Sequence, residues 1–282
     1  MGVSPLVRRR RLAAELRRLR AVAKKSIEDV AEHLECSTAK IRRIEAGQVG
    51  PRVQDVRELL DCYGVTGADR DTLVQLSRQA RARGWWHSYA GFISAEFMTY
   101  LGLEDEACAI STYENYFIPG LLQTERYARA VMTSRPDTPA AEVERGLEIR
   151  RMRWRLLNRA DAPTLCAVID ENTVRRLAGR PELLVEQYDH LISLAALPAI
   201  TLQVLPLSTG AYPDAGASFT LLTFADPADP KIAYAELPAS EHYSDEEERI
   251  RRYQAAFDRL QARALDPDDS VALIKACASE VQ

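Results

Sequence analysis

The sequence is poor in the signatures of chemistry. It contains no G-x-S-x-G, no G-x-x-x-x-G-K-[ST], no G-x-G-x-x-G and no H-E-x-x-H, so nothing in it marks a motif-bearing hydrolase, P-loop enzyme, dinucleotide-binding fold or zinc peptidase. Its five cysteines (Cys36, Cys62, Cys108, Cys166 and Cys277) are scattered and odd in number, with no C-x-x-C pair. Neither a disulfide framework nor a zinc site is expected, and the thiols read as reduced. The four histidines (His33, His87, His190 and His242) have no ligand spacing, so no metal and no cofactor is expected. No apolar run is long enough to span a bilayer. The arginines near the start are not followed by the apolar segment of a secretory signal, and a cytoplasmic protein is expected.

What is present is an asymmetry of charge. The chain of 282 residues carries a net charge of −4, but residues 1–83 hold 18 basic and 11 acidic side chains, +7, and the remainder is at −11. A basic head on an acidic body suits a polyanion-binding module joined to a domain that does not bind nucleic acid. The length accommodates two domains, and the division reads as residues 1–83 and 84–282, at Arg81-Ala82-Arg83-Gly84.

The head is organised around Ser26–Gly47, which reads as two short helices with a tight break. Ser26 is an N-cap and Asp29, three residues on, closes a capping box. Val30, Ala31 and Leu34 repeat at helical spacing, and Ser37 opens a second helix in which Ile41 and Ile44 face the first. Gly47 stands where a left-handed terminal residue belongs. A helix from Arg8 to about Ala23, with Leu12, Leu16 and Leu19 inward, precedes this pair. Helices from Val53 to Tyr63 and from Ala68 to about Arg83 follow it. The outcome is an all-α, five-helix domain with a helix-turn-helix at its centre. In that layout the second helix enters the major groove by its N-terminal end. By the geometry of the phage-repressor-type family that this pair resembles, Thr38, Ala39 and Arg43 lie nearest base edges. Lys40 and Arg42 suit phosphates, Ser37 caps the helix and donates to a phosphate, and Arg52 at the start of the fourth helix reaches the backbone. The plainer reading is a helical hairpin with a basic face, and for Arg43 a pairing with a neighbouring carboxylate. The run Arg8–Arg11 is read equally as a set of phosphate contacts or a solvated helix end.

The second part alternates without strict order. Trp85-Trp86 reads as packing rather than base stacking, followed by a helix at Phe92–Leu101 capped by Ser94. Strands are expected at 109–118, 164–169, 201–205, 219–224 and 232–237, the last two as a hairpin across Asp226–Pro230. Helices are expected at 121–134, at 140–159, within 173–196 with a break near Gly179–Pro181, from Asp245 to Ala264 behind a Ser244 cap, and at 268–279. This is an α+β domain of about five strands, so the chain as a whole is multi-domain. Asp170-Glu171 and Glu241-His242 are the candidate acid and base, read as solvated loop groups, and the chain is not expected to be an enzyme. Pro119-Gly120 and Gly210–Gly216 are loop candidates for a ligand contact, with turn chemistry as the plainer role.

Two resemblances cover nearly the whole chain. Val30-Ala31, Leu34, Cys36-Ser37, Ile41, Ile44-Glu45 and Gly47 resemble the phage-repressor (Cro/cI, XRE) helix-turn-helix. Ile27 departs from the Gln usual in that family, and Glu35 from its turn Gly. Trp85-Trp86, Thr112–Glu114, Pro119–Ala128, Ile200–Pro206 and Phe219–Leu222 resemble the C-terminal domain, of unknown function, of an actinobacterial family of antitoxin-like regulators. The resemblance implies a sequence-specific transcriptional regulator, nucleoid-associated when bound to an operator of double-stranded DNA. Its second domain would sense a protein or small molecule, and it would act as a homodimer. The alternative it implies is an antitoxin-like module that sequesters a small protein encoded nearby and regulates its own operon. A DNA-tethered enzyme is the remaining reading.

Overall fold

A computed structural model describes residues 5–80, 84–176, 181–227, 229–237 and 240–281. The chain divides into two compact units, Met1–Glu106 and Ala107–Gln282.

The first unit holds α1 (Pro5–Val22), α2 (Ile27–His33), α3 (Thr38–Glu45), α4 (Val53–Cys62), α5 (Gly67–Gln79), a 3-10 turn (Trp85–Tyr89) and α6 (Ala95–Glu104). Leu12, Leu16, Val30, Ala31, Ile41, Ile44, Val56, Leu59, Leu60, Leu73 and Val74 make one buried cluster, as the helical spacing predicts. Each of the first four helices ends in the same hydrogen-bonded device, in which the chain enters a left-handed residue and the next N–H turns back onto the last helical turn. The bonds are Lys25 N to Arg20 O, Cys36 N to Ala31 O, Gln48 N to Arg43 O and Val65 N to Leu60 O. The left-handed residues are Lys24, Glu35, Gly47 and Gly64. Two of them are therefore not glycine, and the turn of the helix-turn-helix does hold a side chain at Glu35, φ +48°.

The division falls after Glu106, later than the residue 83 border read from the sequence. Trp86 is buried, and a Cβ at Gly84 or Gly102 would collide with its indole. Trp85 Nε1 donates to Asp105 at 3.3 Å, and α6 packs on α1. The paired tryptophans tie the segment after residue 83 to the head; residues 81–83 themselves lie outside the described residues.

The second unit is a mixed six-stranded sheet in the order β3-β2-β1-β4-β5-β6, with β1 Ala109–Glu114, β2 Thr164–Asp170, β3 Ile200–Leu205, β4 Phe219–Thr223, β5 Ile232–Leu237 and β6 Ser240–Ser244. β1, β2 and β3 run parallel, while β4, β5 and β6 continue antiparallel from β1. The parallel strands are joined through α7 (Glu125–Met132), α8 (Ala140–Trp154), α9 (Glu171–Arg175) and α10 (Pro181–Ala195), the long connections that parallel pairing requires. α11 (Glu247–Arg263) lays Phe257 and Leu260 on Tyr113, Val168, Leu205, Phe219 and Leu221. α12 (Pro267–Val281) packs on β3 and α10.

Four sequence readings change here. The first strand stops at Glu114 because Asn115 leaves the ladder: its Nδ2 donates to Ala215 O at 2.8 Å and Ser218 Oγ donates to its Oδ1. α7 starts only at Glu125, since Thr124 Oγ1 caps it by accepting from Tyr127 N. α8 tightens into a 3-10 turn after Trp154. Ser244 does not cap α11; it ends β6, a sixth strand read as loop. β6 is polar and has one neighbour, so it lacks the apolar alternation that marks a half-buried strand. It is held by its ladder and by Tyr243, opposite Tyr234 with ring centroids 5.1 Å apart. The break expected at Gly179–Pro181 falls partly on residues 177–180, which are outside the described residues.

Candidate nucleic-acid interface

The geometry of the helix-turn-helix follows from its caps. Ser26 Oγ accepts from Asp29 N at 3.0 Å while Asp29 Oδ2 accepts from Ser26 N at 2.8 Å, so α2 begins with the full reciprocal box. Ser37 Oγ accepts from Lys40 N at 3.3 Å and opens α3. Ile41 and Ile44 are fully buried against α2 and α1. Helical spacing then leaves Ala39, Arg42, Arg43 and Ala46 on the outer face, all exposed, with Ser37 exposed and Thr38 half-buried at the helix start.

The three cations predicted on α3 meet different surroundings. Among the described residues no ion pair engages Arg43, so its planar fork is presented outward. Arg42 Nη2 stands 3.7 Å from Glu28 Oε1, with both side chains about two-thirds exposed. Lys40 Nζ is 3.0 Å from Asp55 Oδ1, and Asp55 Oδ2 also accepts from Arg52 N at 3.3 Å. Asp55 thus closes the start of α4 and holds Lys40. This link brings the start of α4 beside the start of α3, with Arg52 exposed at the junction. The pair is half-buried, with Lys40 41% and Asp55 15% exposed, so a phosphate has to compete with Asp55 for Lys40.

Two positioning groups escaped the sequence reading. Arg20 on α1 donates from Nε and Nη2 to both oxygens of Glu45 at 2.7 and 2.9 Å, and from Nη1 to Lys25 O at 2.9 Å. Glu45 is only 7% exposed, and its hydrogen bonds raise the Arg20 pKa further above the ordinary guanidinium value. This fork sets the tilt of α3 against α1. The one signal for it was Glu45 inside the repressor-like string. Arg10 is the second: its stem lies against Gly47, where a Cβ would sit 3.4 Å from Arg10 Cγ. The start of the arginine run is therefore half-buried rather than a solvated end.

Of the candidate acid–base groups of the second unit, Asp170 and Glu171 have structural work. Asp170 Oδ1 accepts from Asn172 N and starts α9. Glu171 takes Leu207 N on one oxygen and Arg175 on the other, 2.8 and 2.7 Å. His242 stands on β6, and the side chain of Glu241 lies outside the described residues. Gly120 O accepts from Trp154 Nε1, and a Cβ at Gly120 would collide with the Arg150 and Arg153 guanidinium groups. The Gly210–Gly216 loop is pinned by Asp214, which takes a two-bond fork from Arg259 at 2.8 Å. Among the described residues no cluster of His, Cys, Asp and Glu could hold a metal ion, and no helix is long and apolar enough to cross a membrane.

Residues 11–73 match the family described as Helix-turn-helix domain, and residues 97–276, more than half of the chain, match the one described as Domain of unknown function (DUF5753). No curated protein and no solved structure matches the chain. The second match begins inside α6, between the border read from the sequence and the break in compactness.

Proposed function

The chain belongs to the family described as Domain of unknown function (DUF5753) and carries a helix-turn-helix domain ahead of it, and from that premise we propose a sequence-specific DNA-binding transcriptional regulator whose second unit senses a partner molecule. It binds as a homodimer on a near-palindromic operator, because one head of this size covers a single half-site. The second unit binds rather than catalyses in this reading, in keeping with the structural occupation of Asp170 and Glu171.

The observation that carries the reading is the outward face of α3, where Thr38 and Ala39 stand at the helix start and Arg43 stands one turn on, exposed and with no ion pair among the described residues. Arg43 matches O6 and N7 of guanine, a contact worth about 1–3 kcal/mol of discrimination. The test begins with footprinting on the DNA upstream of the chain's own coding sequence. Titration of single-base operator variants at two salt concentrations follows. Arg43→Ala is expected to lose discrimination at one base pair per half-site. Lys40→Ala is expected to weaken every sequence alike and to shallow the salt slope by about one unit. Equal loss for all variants with Arg43→Ala moves base reading to Thr38. Sedimentation at micromolar concentration checks the dimer, and a monomer protecting one half-site overturns it.

A further inference from the structure

The head's own acids do not treat the cations of α3 alike. Arg43, the base-reading candidate, meets no ion pair among the described residues. Lys40 and Arg42, the two suited to phosphates, each face a carboxylate: Asp55 lies 3.0 Å from Lys40 and Glu28 lies 3.7 Å from Arg42. We propose that Asp55 is a built-in competitor of the DNA backbone. It holds Lys40 in the free chain and yields it to a phosphate in the complex, and so lowers affinity for every duplex without changing sequence discrimination. The proposal rests on the DNA-binding reading of the head and names the residue that sets its strength.

The geometry of the carboxylate permits the exchange. Asp55 Oδ1 takes the Lys40 ammonium, while Oδ2 accepts from Arg52 N at 3.3 Å and closes the start of α4. The two engagements use different oxygens, so Lys40 can leave without uncapping that helix. Lys40 suits the transfer as well. It stands in the first turn of α3, the end that enters the groove, and its ammonium is a point charge with three donors on a flexible stem. A phosphate oxygen offers it the same kind of anionic acceptor as the carboxylate.

The second pair is the weaker competitor. Glu28 and Arg42 are both about two-thirds exposed, where solvent screening leaves an ion pair little strength. Discrimination is spared because every base pair brings phosphates with it, whereas Arg43 would read a base edge. The head's acids thus oppose the contacts that carry no sequence information and leave the base-reading cation alone.

The test titrates the full chain with its operator and with a scrambled duplex of equal length. Asp55→Asn removes the charge and keeps an acceptor for Arg52 N. It is expected to tighten both complexes about fivefold, with their ratio unchanged. In the Lys40→Ala background the same substitution should change affinity by no more than about twofold, since no cation is left to release. If Asp55→Asn fails to fold, Asp55→Gln takes its place, because glutamine also closes a capping box. A role in capping alone predicts the opposite sign, so unchanged or weaker binding by the folded variant overturns the proposal. Tightening that persists with Lys40→Ala also overturns it, as Asp55 would then repel the backbone directly. Tightening confined to the operator does the same, by placing Asp55 in base reading. A chain that protects no operator, yet holds the scrambled duplex more tightly as Asp55→Asn, keeps the competitor and overturns the regulator. Operator protection without tightening does the reverse.

Discussion

Arg20 and Glu45 show how much a single pair of residues determines in the head. Burial strips water from both charges, and a two-bond fork compensates only while both partners are present. Arg20→Ala leaves a carboxylate that is 7% exposed without its cation. It should destabilise the first unit by about 3–5 kcal/mol, read as a lowered midpoint in denaturant; a loss below about 1 kcal/mol would mean that water replaces the guanidinium. Glu35 is the opposite case. Its φ of +48° imposes strain that glycine does not feel, on the order of 1 kcal/mol. Glu35→Gly is therefore expected to stabilise the helix-turn-helix by about that amount and to raise its melting point by a few degrees. An unchanged or lowered melting point would show that the Glu35 side chain offsets its own backbone.

At the scale of the element, helix ends and strand ends carry the information. Four successive helices close on left-handed residues, which makes the connections between them short and their directions definite. β1 is the hinge of the sheet, parallel to β2 on one side and antiparallel to β4 on the other. Its last residue, Glu114, is pushed up to about 7, chiefly by burial; Glu236 adds to the rise, while a hydrogen bond from Ser218 and the charges of Arg150 and Arg153 oppose it. An acid that ionises near 4.5 when unfolded and near 7 when folded keeps its proton longer in the native state. Its contribution to stability is complete below about pH 4.5, falls between there and about 7, and stays low above. Glu114→Gln should remove that fall, so that at pH 8 the variant exceeds the wild type by about 3 kcal/mol relative to their difference at pH 4. Denaturant midpoints of both proteins across pH 4–8 check this, and parallel curves would place the charge elsewhere.

At the scale of the whole molecule the two units divide by charge as well as by contacts. With the border at Glu106 the first unit keeps a net +3 and residues 107–282 hold 19 basic and 26 acidic side chains, −7. A surface of that sign repels the phosphate backbone. The isolated fragment 107–282 is therefore expected to fold, to bury its own sheet core, and to show no affinity for DNA at moderate salt. Retention on a DNA column comparable to that of the intact chain would refute the division of labour.

The sequence by itself determined the five helices of the head, because their start and stop signals are local. Caps at Ser26 and Ser37, the left-handed Gly47 and the spacing of Val30, Ala31, Ile41 and Ile44 act over a few residues, and each is visible as a residue type at a fixed offset. It also determined five of the strands, whose burial requires apolar runs. Only the tertiary structure decided what depends on distant partners. Arg20 meets Glu45 25 residues away, Lys40 meets Asp55 15 away, and Trp86 draws Gly102 into the head. β6 exists because β5 offers it an edge, and Gln123 lines a cleft because α8 and α10 close around it. Such pairings leave no periodicity in the chain, since the free energy that selects them appears only when both segments have lost their water together.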